Sequence, residues 1–166
     1  MQSEMVDQFE TEIASYGVDV THASVGDATD VIAEHLDSTA VGVPLPWDGV
    51  SLPGAVTTDP TPDELEAAKT GLSPASLGIA TYGSLALRAD DHGSEPISLF
   101  VDTHVAVLHE EDIVADMPEA FEWLGEELRE TRDSVILATG PSATADMGAL
   151  VQGAHGPKTV ELIIIS

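Results

Sequence analysis

Residues 134–165, SVILATGPSATADMGALVQGAHGPKTVELIII, hold two apolar runs separated by glycine, proline, hydroxyl and small side chains. SVILAT reads as a buried strand, ADMGALVQG as a short helix and KTVELIII as a final strand. A strand, a helix and a second strand in succession predict a parallel pair joined by a crossover. The whole fold class turns on this reading.

The same order recurs at the other end of the chain. Met5, Phe9, Ile13 and Tyr16 fall at helical spacing and Gly17 follows as a stop, which predicts an amphipathic helix over residues 3–16. GVDVTHA then alternates like a strand, GDATDVIAEHLD reads as a helix and AVGVPLP as a short buried strand. Residues 44–60 are rich in proline and glycine and read as a long loop enclosing a short strand. TPDELEAAKTG starts a helix: Thr61 caps, Pro62 suits the first position, Glu64 completes a capping box and Gly71 lies beyond the end. From Ala75 to Leu108 the segments ASLGIATYG, SLALRAD, ISLF and THVAVLH read as strands around a polar turn, DDHGSEP. Asp116 with Glu119 marks another helix start, with Phe121, Leu124 and Leu128 as its apolar stripe and an end near Arg129. The expected class is α/β: one domain over residues 1–166, with an open, mainly parallel sheet and helices packed on it.

Composition narrows the function classes. Of 166 residues, 30 are acidic and 5 basic, a formal charge of -25, yet 43% are hydrophobic, so a folded core is expected. The acids are dispersed along the chain, opposed only by Lys69, Lys158, Arg88, Arg129 and Arg132, which makes nucleic acid an unexpected partner. A uniformly acidic surface with few lysines is the pattern of a halophile's cytosolic protein, whose self-repulsion is relieved by salt. There is no cysteine, which removes disulfides, thiol nucleophiles and any iron–sulfur cluster held by this chain. The first residues carry no basic and apolar leader, and no apolar run is long enough to span a bilayer. A cytoplasmic location without membrane insertion is therefore expected.

The central stretch is also the best candidate site. A helix starting near Thr144 to Asp146, straight after a strand and the Gly140-Pro141-Ser142 turn, would offer free backbone N–H groups and the hydroxyls of Thr139, Ser142 and Thr144 to an anion. The same residues would equally serve a plain helix cap, with Asp146 in its first turn. Gly153-Ala154-His155-Gly156-Pro157-Lys158 places an imidazole and one of two lysines in a tight turn before the last strand, for a ligand or to fix that turn.

GPSATADMGALVQGAHGP resembles the C-terminal signature of the LUD-domain family of lactate-utilization proteins, in which a GPS-x-TAD block, a short helix and a G-x-HGP turn precede a last apolar strand. Weaker similarity runs back through HVAVLHEEDIVADMPEAFEWL and ASLGIATYGSLAL, covering residues 72–165. The resemblance implies a NagB/RpiA/CoA-transferase-like fold. It also implies a role as subunit or accessory module in oxidising L-lactate, or a related organic acid, to pyruvate beside iron–sulfur partner subunits. No cofactor of this chain's own follows from it. The ligand-binding positions it implies are Thr81, Gly83 and Ser84 in one segment and Gly140, Pro141, Ser142, Thr144, Asp146, His155 and Gly156 in the other. His155 and Asp146 are its candidates for acid–base work.

Two positions depart from the family pattern. Ala143 stands where members commonly carry a basic residue, and Thr81 where they often carry an acidic one. A glutamyl-thioester mechanism needs a carboxylate nucleophile, which Thr81 does not supply. The alternative function is a nucleotide-, CoA- or sugar-phosphate-binding enzyme of the same fold performing acyl or phosphoryl transfer, with His155 as acid/base and Ser142 or Thr144 on the anion. A third is an interaction module with an acidic face. His104 and His109, five apart in one strand, point to opposite faces and do not share a metal. Glu110, Glu111 and Asp112 read as a solvated turn, and Trp47 and Trp123 as packing residues.

Overall fold

The computed structural model describes residues 1–145 and 148–166. In chain order its elements are α1 (Gln2–Ser15), β1 (Asp19–Ala23), α2 (Ala28–Glu34), β2 (Ala40–Gly42), β3 (Val56–Thr58), α3 (Pro62–Ala67), β4 (Thr70–Pro74), β5 (Leu77–Ile79) and β6 (Ser84–Arg88). There follow α4 (Ser94–Phe100), β7 (Thr103–His109), a 3₁₀ turn (Glu110–Asp112), β8 (Ile113–Val114), α5 (Met117–Thr131), β9 (Val135–Ala138), β10 (Ala143–Thr144), β11 (Val151–Gln152) and β12 (Thr159–Ile165).

Six strands form one parallel sheet in the order β1-β12-β7-β4-β2-β3. Parallel sheets of this kind are covered on both faces, and their strands read as apolar runs. Alternation along β7 and β12 sends Ala106, Leu108, Leu162 and Ile164 to one face, where Phe9 and Ile13 of α1 cover them. Val105, Val107, Ile163 and Ile165 go to the other, against Ala28 and Ile32 of α2. Ile32 is fully buried, and truncating such a side chain to alanine costs about 2–5 kcal/mol. A second sheet, β8-β5-β6-β9, turns Leu85 and Leu87 toward the α1 face of the first. Leu77, Ile79 and Ala86 face the other way, onto α5. The α/β class with a mainly parallel central sheet and helices on both faces is the observed one.

The helix starts hold as expected. Thr61 Oγ1 accepts from the Glu64 N–H while Glu64 Oε2 accepts from the Thr61 N–H, at 3.3 and 2.8 Å. Asp116 Oδ1 accepts from the Glu119 N–H at 3.3 Å.

Several expectations are corrected. ISLF is not a strand but the body of α4; Asp90 takes the Ser94 N–H at 3.0 Å and the Ser94 hydroxyl at 2.5 Å, which nucleates a helical turn where four apolar letters gave no period to judge by. Gly71 does not end a helix but sits inside β4, where its missing side chain leaves room for the Ile97 carbonyl of α4. In α5 it is Ala120 that is buried, with Met117 and Trp123 beside it, while Phe121 is 63% and Leu128 39% exposed and Leu124 half-buried, so two of the three expected stripe residues face solvent. SVILAT is not a buried member of the parallel sheet: β9 is a half-exposed edge strand antiparallel to β6. No helix follows it among the described residues. Ala143 and Thr144 pair antiparallel with Gln152 and Val151, and Gly148 has φ +78°, which is incompatible with an α-helix through ADMGALVQG.

Candidate functional site

Without that helix the expected anion frame at a helix start is gone, and a different one takes its place. The chain leaves β9 through Gly140, at φ +67°, where a Cβ would come within 2.7 Å of the Tyr16 Cβ at the end of α1. Only glycine meets both conditions without strain. Beyond the hairpin the chain returns through the Gly153–Lys158 turn and closes on the first one. The Ser142 N–H donates to the Pro157 carbonyl at 3.0 Å and the Gly153 N–H to the Ser142 carbonyl at 2.8 Å. Gly156 lies so close that a Cβ there would stand 2.9 Å from the Ser142 Cβ. The glycines and prolines thus shape two turns clasped to each other by backbone hydrogen bonds.

Under the clasp lies a cavity of about 220 Å³, between the α1 face of the parallel sheet and the second sheet, near the amino ends of β7 and β12. Gly140, Pro141, Ser142, His155 and Gly156 form its rim. Ile13, Leu85, Leu87 and Val160 give it an apolar wall. Among the described residues no aspartate or glutamate lines it, in a chain with 30 of them. Its rim presents the exposed His155 imidazole and the Ser142 hydroxyl.

His104, weighed in the sequence only as a metal ligand with His109, also faces this cavity. It is 3% exposed and shares a 2.8 Å hydrogen bond between its Nε2 and Ser73 Oγ. Burial pulls its pKa down to about 4, so it is neutral at pH 7. The signal was the alternation of THVAVLH, which places His104 on the same face as Ala106 and Leu108.

The other expected site residues lie elsewhere. Ser84 is buried one hydrogen bond away, its Oγ 2.6 Å from Thr139 Oγ1 of the rim segment. Gly83 lies beneath α1, where a Cβ would be 2.5 Å from the Ile13 nitrogen. Thr81 is exposed on a turn, its N–H donating to the Ala115 carbonyl at 3.1 Å, and does not line the cavity. Thr144 sits in β10, half-buried and outside the lining. Asp146 lies outside the described residues. Lys158 turns away: its Nζ is 3.2 Å from Asp102, which Lys69 also holds at 3.1 Å. Hydrogen bonds from Lys69, then Lys158, keep the Asp102 carboxyl below its usual range.

A larger cleft of about 550 Å³ opens at the opposite end of the parallel sheet, past the carboxyl ends of β2 and β4. Trp47, Trp123 and Asp112 line it, and the two tryptophans also pack against the core, Trp47 with the cluster of Ile32 and Trp123 with that of Ala120, as expected. Among the described residues no helix is long and apolar enough to cross a membrane, and no His/Asp/Glu group of three could hold a metal ion.

Residues 10–165 match the sequence profile of the LUD domain. Lactate utilization protein C of Deinococcus radiodurans is 32% identical over 174 residues, an alignment covering 99% of this chain and 81% of that protein. The protein of the same name from Bacillus velezensis is 30% identical, over 75% of this chain and 52% of its own length. That from Oceanobacillus iheyensis is 31% identical over 60% and 45%. Among solved structures, a DUF162 family protein from Deinococcus radiodurans superimposes with a TM-score of 0.78 at 26% identity, covering 100% of this chain and 99% of that one.

Proposed function

The chain belongs to the LUD-domain family, and from that premise we propose that it is a subunit or accessory module in the oxidation of L-lactate, or a related organic acid, to pyruvate, with the acid held beneath the clasped turns. The names of its relatives support the lactate-utilization part of this reading. One observation carries the site: in a chain of charge -25, the cavity built by the signature stretch has no carboxylate among its described lining residues. An acidic surface repels an anion everywhere except where its carboxylates are withdrawn.

The chemistry of the lining agrees. Ser142 and His155 offer a hydroxyl and an imidazole to a carboxylate, and the Ile13, Leu85 and Val160 wall suits the methyl group of lactate. A space of about 220 Å³ is below the range of drug-sized ligand pockets, which favours a small acid over a nucleotide or CoA ester. Turning lactate into pyruvate releases two electrons and two protons. With no cysteine in this chain, a cluster accepting those electrons would belong to an iron–sulfur partner subunit. His155 on the rim is the acid–base candidate, and Asp146 is the second that the family signature suggests.

Deleting the gene should abolish growth on L-lactate as sole carbon source, and affinity capture of the intact protein should bring down an iron–sulfur subunit. Unchanged growth and unchanged lactate oxidation would overturn this function. We read the dispersed acidic surface as adaptation to a salty cytoplasm. Lowering KCl from molar to about 0.1 M, where screening reaches ~10 Å, should then lower the melting temperature, and a salt-independent value refutes that reading.

A further inference from the structure

The cleft beyond the carboxyl ends of β2 and β4 lies where open α/β sheets usually hold their ligands. Its walls come from four separated parts of the chain: the loop through Trp47 after β2, the Pro74–Ser76 segment ending β4, Asp112 after β7, and Trp123 with Glu127 on α5. Both tryptophans of the protein face it. The Trp47 ring stands 6.3 Å from that of His109, tilted by 36°. Burial raises the Asp112 pKa, outweighing the opposing influence of His109.

The cleft's charge is one-sided. Arg88 is its one cationic side chain that stays charged at all ordinary pH, and Glu127 already engages it at 2.5 Å. Asp90 directs its oxygens to Ser94 and to the His92 N–H. Three carboxylates therefore face one guanidinium, and the cleft repels anions such as lactate or phosphate esters. A metal ion is disfavoured because no three ligating side chains converge among the described residues. A cleft lined by two indoles and a part-buried carboxylate, with a net negative lining, suits a weakly hydrated organic cation.

We propose that this cleft is a second ligand site, selective for an organic ammonium ion, with Asp112 as its counter-ion and the indoles of Trp47 and Trp123 as its walls. It is independent of the lactate reading, since the two cavities share no lining residue.

Tryptophan emission tests it directly, because both tryptophans line this cleft and neither lines the other cavity. The probe is tetramethylammonium chloride exchanged for KCl at constant ionic strength. A saturable change in emission is expected, with the apparent Kd raised roughly tenfold in Asp112→Asn, as for loss of one charged contact. Trp123→Phe, which leaves Trp47 as reporter, should weaken binding as well. A linear or absent response, the same titration with neutral 2,2-dimethylpropan-1-ol, or an unchanged Kd in either folded variant overturns the proposal. Melting curves confirm that each variant is folded.

Discussion

The cavity at the amino ends of β7 and β12 and the cleft at the carboxyl ends of β2 and β4 belong to one sheet, yet their linings are electrostatic opposites. The first is rimmed by glycine, proline, serine and histidine with no carboxylate among its described residues; the second gathers three carboxylates, an arginine and both tryptophans. The parallel sheet supplies both ends alike. What differs is the connections: backbone-to-backbone bonds hold the first rim, while the second is walled by side chains from a proline-rich loop and α5. In an acidic protein, glycine-rich turns can form a cavity wall without bringing charge into it.

The comparison breaks first at Gly140. Placing a Cβ at φ +67° and against Tyr16 combines left-handed strain with overpacking, so Gly140→Ala should cost about 4 kcal/mol in urea unfolding. Acid binding should suffer while the tryptophan response of the cleft persists. An unchanged unfolding midpoint would mean the clasp does not depend on that approach.

The two cavities should also titrate with opposite sign. Unfolded, the His104 imidazole takes its proton near 6.5; folded, it does so only at about 4. Above 6.5 neither state is protonated and stability is full; as pH falls from 6.5 toward 4 the unfolded chain gains the proton first and stability is lost, on the order of 3 kcal/mol. His104→Gln should flatten that part of the stability curve, and an equally steep curve in the variant would assign it to other groups. Asp112 runs the other way. Its raised pKa means the folded state keeps its proton longer, so a smaller penalty appears as pH rises through the ordinary carboxylate range. Asp112→Asn should therefore be slightly more stable than wild type at neutral pH; a less stable variant would show that its ionised form is held favourably.

Much of the frame was legible because it is local. Thr61 with Glu64, and Asp116 with Glu119, announce their helices by spacing alone, and KTVELIII and THVAVLH are apolar enough to be strands in any context. What failed depends on partners far away in sequence. TGLSP becomes β4 although none of its residues is a strong strand former apart from threonine, because β2 and β7 pair with it on both sides. ISLF becomes a helix because of Asp90. ADMGALVQG has a helix's length, but its Val151 and Gln152 pair with Thr144 and Ala143 just ahead of it instead. The glycines, serine and histidine of the rim were visible as a cluster, but not which sheet end they would reach. The carboxyl-end cleft left no sequence signal, since its residues span Pro44 to Glu127 and meet only in the fold.

The most direct test of the contrast is a calorimetric titration of L-lactate into the wild-type protein and His155→Ala in molar KCl, with tryptophan emission followed in parallel. Saturable heat in the wild type, an affinity loss of roughly tenfold in His155→Ala for one charge-assisted hydrogen bond, and silent tryptophans throughout are the predicted result. Absence of saturable heat, equal affinity in the variant, or an emission change on adding lactate would contradict it.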